Sequence, residues 1–205
     1  MTTSTRLDWG ALTLCEPTLK EVERYADVLV RAYNDPRNAP LLGHVEEIDR
    51  AEVIEHYADL ADEGRAFMLF NGDDLVGDGD LRGITDGAAE LAFLIVDPRA
   101  QGKGLGTKLA LMLTTFGFRV LDLDVIFGSV VPSNTASKRV FEKLGFWVDD
   151  SPRARSFAEV PDDLVFALDR AAFDRLHRDT VAGILITEET KRVNRTVDSV
   201  RWLIL

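Results

Sequence analysis

Apolar residues recur along this chain with two spacings, and an element ends where the spacing changes. Leu19, Val22, Ala26, Leu29 and Tyr33 fall on one helical stripe, and Thr18 with Glu21 three places on forms a capping box that opens it. A second capping box, Asp49 with Glu52, opens a helix with the stripe Ile54, Tyr57 and Ala61, closed by Gly64. The segment 34–40 between them is rich in Pro and Asn and reads as a loop. Short strand patterns cover 11–15, 67–70 and 75–82, with Asn71-Gly72 as a hairpin turn and Thr85-Asp86-Gly87 as the next. Further strands are expected over 125–131, 146–148 and 164–168, with a charged, proline-containing loop at 149–163. Ser137, Val140, Phe141 and Leu144 mark a helix that stops at Gly145, and a short helix fits 171–177. Residues 1–10 read as a frayed or extended lead. Val197 to Leu205 alternates weakly like a strand.

The stretch from Glu90 to Gly106 carries the most information. Leu91 to Val96 is an apolar run long enough for an interior strand and too short for a helix. Asp97-Pro98 stops it, because proline has no amide to donate and restricts the residue before it. Gly102, Gly104 and Gly106 then alternate. From Thr107 a helix begins, with Leu109, Met112, Leu113 and Phe116 on one stripe. A strand that feeds a glycine turn at a helix N-terminus offers free amides and a positive dipole end to an anion, so the stretch reads as a phosphate cradle. A P-loop would need Gly-Lys-Ser/Thr at its end, and a dinucleotide fingerprint would need its third glycine where Thr107 stands. Neither fits.

Order and type of elements give an α/β domain of the α+β, three-layer kind over residues 1–175, with 176–205 as a C-terminal extension of unknown role. That extension is an oligomerisation element, an extra strand or a tail, which leaves a homodimer open. The length of 205 residues sustains one sizeable core. A formal charge of −11 disfavours a nucleic-acid partner, whose phosphates would be repelled, and suits a cationic one. Cys15 is the single cysteine, so no intramolecular disulfide can form. No run is apolar and long enough for a bilayer and no secretory leader is recognisable, so a cytoplasmic location and no membrane partner are expected. His44 and His56 lack metal-ligand spacing with other ligands, so no metal is expected.

The series Val96-x-Pro98-x-x-Gln101-Gly102-x-Gly104-x-Gly106, followed by Asn134-x-x-Ser137-x-x-x-Phe141-x-x-x-Gly145-Phe146, resembles the GNAT acyltransferases over roughly residues 11–170. The resemblance implies a mixed sheet splayed at the glycine-loop strand, flanked by helices, with acetyl-CoA in the gap. Backbone groups of Leu94, Ile95 and Val96 would pair with the pantetheine arm, and amides from Gly102 through Lys103, Gly104, Leu105 and Gly106 to Thr107 would hold the pyrophosphate. Gln101 belongs to the signature, Lys103 (and less directly Arg99) would add charge, Asn134 would bond the pantetheine and Phe141 would pack on the cofactor. On the residues alone, Asn134 reads first as a helix N-cap and Phe141 as a core residue, and the glycine turn shifts the balance toward the cofactor.

The implied reaction is acetyl transfer to a primary amine by direct attack in a ternary complex. It needs a base for the ammonium proton, an oxyanion stabiliser and a proton for the thiolate. Glu90 is the candidate base, set among Ala88, Ala89, Leu91 and Ala92, where burial would raise its pKa. The chain departs from the family at two places. Phe141 stands where many members have the tyrosine that protonates the thiolate, and Ser129 stands where some have a second glutamate. Ser137, one helical turn before Phe141, is the candidate that orients a water or touches the sulfur. Asp35, Glu46, Glu47, Asp49, Glu52 and Glu55 in the first two helices and their connection suit a basic acceptor: a protein N-terminus or lysine, a polyamine or an aminoglycoside. The alternatives are a non-catalytic acyl-CoA sensor on the same fold, and a degenerate fold used for protein interaction.

Overall fold

The computed structural model describes residues 2–42 and 46–191; His44 and the Val197–Leu205 alternation lie outside them. Strands β1 (Thr2–Trp9), β2 (Leu12–Cys15), β3 (Gly64–Asn71), β4 (Asp74–Thr85), β5 (Ala88–Leu94), β6 (Val125–Val130), β7 (Trp147–Val148), β8 (Leu164–Asp169) and β9 (Leu185–Lys191) form one sheet. Its order among the described residues is β7-β8-β6-β5-β4-β3-β2-β1-β9. Every pairing is antiparallel except β5 with β6. Six α-helices accompany it among the described residues: α1 (Leu19–Tyr33), α2 (Arg50–Glu63), α3 (Leu105–Arg119), α4 (Thr135–Lys143), α5 (Pro152–Arg155) and α6 (Arg170–Val181).

The layers follow from which stripe each helix buries. On one face α1 sets Val22, Ala26 and Leu29 and α2 sets Val53 and Tyr57 against Met68 and Val96. On the other, α3 is buried along nearly its whole length, with Leu109, Met112, Leu113 and Phe116 all at 0 % exposure, and α4 and α6 close over its flanks through Phe141 and Phe173. At about 25 cal/mol per Å² of apolar area, each buried Leu or Phe of α3 contributes on the order of 2 kcal/mol. Both expected capping boxes form, Thr18 with Glu21 and Asp49 with Glu52.

Several expectations change. Of the two readings of the lead the extended one holds: Thr2–Trp9 is strand β1, held between β2 and β9 with Leu7 wholly buried, and the turn at Gly10 folds it back as a hairpin. The stripe on α2 is Val53, Tyr57 and Leu60, and Ala61 is exposed, while Leu19 on α1 is 61 % exposed. Tyr57 is common to both stripes, and its burial together with Val53 and Leu60 sets the helix rotation. The 149–163 loop contains α5, capped by Ser151. The helix expected at 171–177 starts at the Asp169 cap and continues to Val181, through position 175. Within the 176–205 extension the extra-strand alternative holds for residues 185–191, which pair with β1.

The feature that positions the site is a divergence of β5 from β6. They pair only at Ala88↔Val125, Ala89↔Ile126 and Glu90↔Phe127. Beyond Glu90, β5 stays on β4 as far as Asp78↔Leu94, and β6 stays on β8 as far as Val130↔Leu164. The β5 edge from Leu91 to Leu94 is thus left without its neighbour, and a gap opens in the middle of the sheet.

Candidate active site

Two hollows meet at that gap. One is a groove of 390 Å³ that runs along the glycine turn and the first residues of α3 and α4. The other is a cavity of 410 Å³ on the α1/α2 face, over β4 and β5. Phe93, Leu94, Asn134 and Ser137 line both, as do Leu41 and Leu42 from the α1–α2 connection. The connection is tied down by Asn34, whose Nδ2 donates to Ile48 O (2.7 Å) and whose Oδ1 accepts from Ile48 N (2.9 Å).

The groove is made mostly of backbone. Gly102 and Gly104 have φ of +72° and +81°, and a Cβ on either would meet open space, so the turn bares its main chain to the groove. Gly104 is also the N-cap of α3 in left-handed conformation, which leaves the first-turn amides outside the helical ladder. Gln101, Gly106 and Thr107 line the groove with them. Gln101 Nε2 donates to Ile95 O (3.0 Å), bracing the turn against the end of β5. Leu105 packs on the core and Lys103 is exposed beyond the groove lining. Val96 differs from Leu94 and Ile95: its amide donates to Val76 O (3.0 Å) and it does not line the groove.

On α4, Asn134 Oδ1 accepts from Ser137 N (3.0 Å), so this asparagine caps the helix and lines the groove at once. Phe141 is 2 % exposed, stacked on Phe166 at 5.4 Å and edge-on to Phe93 and Phe146; it is a core residue whose edge reaches the cavity. Arg139 and Lys143 also line the groove, and neither has an acidic partner among the described residues. Sequence reading passed over them, although two cations four apart on the helix that Asn134 caps were a signal in so acidic a chain.

The cavity is made of side chains. Asp78, Asp80 and Arg82 share one face of β4, and Glu90 stands opposite Arg82 on β5. Arg82 grips Asp80 with both Nε (2.7 Å) and Nη2 (3.0 Å), and its Nη1 reaches Glu159 Oε1 at 3.1 Å. Burial disfavours the guanidinium charge, but Asp80, Glu90 and Glu159 more than offset that and raise its pKa. Glu90 is 8 % exposed, and burial pushes its carboxyl up to about 7, with Arg82 opposing and Glu159 and Asp80 assisting. Ser129, beside it, is spent on structure: its Oγ donates to Asp163 Oδ2 (2.7 Å) and accepts from Glu159 N (3.0 Å).

Asp78 was missed by the sequence reading. It is 7 % exposed, and burial pushes its carboxyl up to about 7 as well. Its Oδ2 accepts from the Tyr33 hydroxyl and from Tyr57 Oη at 3.2 Å. The signal was Gly77-Asp78-Gly79-Asp80 inside a strand. A Cβ at Gly79 would meet Ala92 O at 2.6 Å and Leu113 Cδ1 at 2.7 Å, so glycine there lets α3 lie close while the carboxylates occupy the opposite face.

An acetyltransferase (GNAT) domain model matches residues 12–147, about two thirds of the chain. The chain belongs to the GNAT acetyltransferase family. Among curated GNAT relatives, "Probable N-acetyltransferase YjcK" of Bacillus subtilis (strain 168) is 34 % identical over 105 residues, which is 49 % of this chain and 58 % of that protein. The spermidine N(1)-acetyltransferase of Escherichia coli (strain K12) is 38 % identical over 56 residues, 27 % of this chain and 30 % of that one. The chain therefore spans less than two thirds of the curated relatives it matches. Among solved structures, Mycobacterium smegmatis RimJ in complex with CoA-disulfide superposes with a TM-score of 0.69 at 18 % identity, covering 89 % of this chain and 95 % of that one. AAC(6')-Ib in complex with Parmomycin and AcetylCoA gives a TM-score of 0.66 at 24 % identity, covering 80 % and 97 %. At these identities the two structures speak for the GNAT fold, including the splayed, helix-flanked sheet. Among the described residues no helix is long and apolar enough to cross a membrane.

Proposed function

We propose that this chain is an acetyl-CoA-dependent N-acetyltransferase that acts on a basic primary amine. The observation that carries the reading is the meeting of the two hollows at the open β5 edge: a main-chain groove flanked by cations on one side, an acidic cavity on the other. The donor set fits coenzyme A. Left-handed Gly102 and Gly104 bare amides, α3 presents its N-terminus, and Arg139 and Lys143 add positive charge for phosphates. The free β5 edge at Leu94, with Ile95, suits an extended amide-bearing arm, and Asn134 keeps its Nδ2 for the same arm. When bound, acetyl-CoA supplies the activated acyl group.

The chain's own part is to handle protons. A primary ammonium titrates near 10, so a carboxylate of ordinary pKa would take its proton at a cost of about 8 kcal/mol, whereas a carboxyl near 7 takes it for about 4 kcal/mol. Glu90 is assigned that task. Ser137, at the junction of groove and cavity, is assigned to hold a water or the departing sulfur, since Phe141 carries no proton to give. The acidic cavity supports an amine acceptor that is itself cationic, such as a polyamine, an aminoglycoside, or a protein lysine or N-terminus.

Calorimetry with acetyl-CoA, followed by thiol release with an amine panel, tests the reading. Binding in the micromolar range and turnover with at least one amine are expected. No binding at tens of micromolar, an affinity weaker than about −6 kcal/mol, would refute it. Binding without turnover across the panel would favour an acyl-CoA sensor, the reading that Phe141 and the occupied Ser129 hydroxyl favour.

A further inference from the structure

Five carboxylates, Glu52, Asp78, Asp80, Glu90 and Glu159, line the acceptor cavity against one guanidinium, that of Arg82, and Glu52 is engaged in its own helix cap, accepting from Asp49 N (2.6 Å). They are not equivalent. Arg82 satisfies Asp80 through two hydrogen bonds, reaches Glu159 through a third, and lies across from Glu90 in register. Asp78 receives only phenols. Tyr33 and Tyr57, from two different helices, both donate to its Oδ2, which fixes the plane of the carboxylate. Its Oδ1 is buried and has no hydrogen-bond partner among the described residues. A buried acceptor atom without a donor is the kind of group whose partner arrives with a ligand.

Its place in the register says which part of the ligand. Asp78 is opposite Leu94, and Arg82 is opposite Glu90, so Asp78 and Glu90 are four strand positions apart, roughly 13 Å along the backbone. Asp80, neutralised by its two hydrogen bonds from Arg82, lies between them. One cation cannot occupy both ends of such a row, but a linear molecule with a cation at each end can.

We propose that Asp78 is a specificity-determining residue that receives a second ammonium group of the acceptor through Oδ1, so that the preferred acceptor is a linear diamine or polyamine. The inference rests on the transferase reading for the assignment of the reacting amine to Glu90. The binding role of Asp78 is a separate matter. A structural part, in which Asp78 merely ties α1 and α2 to the sheet, would affect all acceptors alike.

The test compares α,ω-diamines of four to eight carbons with monoamines of the same length, in Asp78→Asn and in the parent protein. For the parent, kcat/KM is expected to favour a diamine of matching length by about tenfold or more. In Asp78→Asn that preference should vanish through a rise of about tenfold in the diamine KM. The monoamine kcat and the acetyl-CoA Kd should stay within about twofold. Tyr33→Phe, which keeps the charge and loosens its orientation, should show part of the same KM change, and this variant decides the matter if Asp78→Asn fails to fold. Equal losses with both acceptor types, or an unaltered preference, would overturn the proposal. Calorimetry of the diamines without acetyl-CoA separates the two readings. Diamine binding that depends on Asp78 in a protein without turnover would support this inference while refuting the transferase assignment.

Discussion

The groove and the cavity lie on either side of one strand edge, yet they are built on opposite principles. The groove depends on backbone conformation: two left-handed glycines, a helix start without a side-chain cap, and a strand edge deprived of its neighbour. The cavity depends on side chains brought from β4, β5, α1, α2 and the 149–163 segment, each needing a partner to stay buried. The first construction tolerates no change of main-chain geometry. The second tolerates geometry but is sensitive to charge. The two halves should therefore fail differently when altered, and the difference should show in which substrate is lost.

The largest effect is expected at Gly104. Its φ of +81° is strained for any side chain and worst for a β-branched one. Open space around the position means that Gly104→Val leaves the core undisturbed, so the damage is confined to the turn. Misplacing two amides that would each make a charge-assisted hydrogen bond of about 2 kcal/mol removes about 4 kcal/mol, roughly a thousandfold in acetyl-CoA affinity. Amine binding, measured separately by calorimetry, should be unchanged. If Gly104→Val bound acetyl-CoA like the parent, the groove would not be the cofactor site.

This contrast also explains what could be read from the chain. A turn made by backbone leaves its mark locally, in Gly102, Gly104 and Gly106 after Asp97-Pro98, because only certain residue types allow such geometry. The central strand, α3 and both capping boxes were legible for the same reason. Asp78 and Tyr33 are 45 positions apart, and nothing local announces that they touch. Asp163, in the stretch read as a charged loop, is 3 % exposed, its Oδ2 accepting from Ser129 and its carbonyl oxygen from Arg155 of α5. Strand β1 was hidden because its second neighbour, β9, comes from the far end of the chain. Glu90 was legible halfway: its apolar neighbours implied burial, while the Arg82–Glu159 surroundings that share in tuning it came from elsewhere.

On the cavity side the expected failure is one of rate. Glu90 has its carboxyl raised to about 7, chiefly by burial, so below that pH it is protonated and cannot accept a proton, and above it the base is available. With a monoamine acceptor, which does not engage Asp78, kcat/KM should rise through about pH 7 and level off. Glu90→Gln should cut the rate about a hundredfold at pH 8 and abolish that rising limb, with the acetyl-CoA Kd within about twofold. Retention of the limb in Glu90→Gln would assign it to another group and leave the cavity without its base.

The smallest expected effect tests whether the comparison is complete. Arg139 and Lys143 are the side-chain contribution to an otherwise main-chain groove, four residues apart on the exposed flank of α4. At the surface, charges of this kind contribute about 1 kcal/mol each to holding a phosphate, and they are screened within a Debye length of about 10 Å at 0.1 M salt. Arg139→Ala and Lys143→Ala should therefore each weaken acetyl-CoA binding about fivefold at low ionic strength and by less than twofold at 0.5 M salt. Gly104→Val should lose the same affinity at both salt concentrations, because conformation is not screened. If the loss in the two α4 variants persisted undiminished at high salt, these side chains would be part of the groove's shape, and the division between a side built by backbone and a side built by charge would need redrawing.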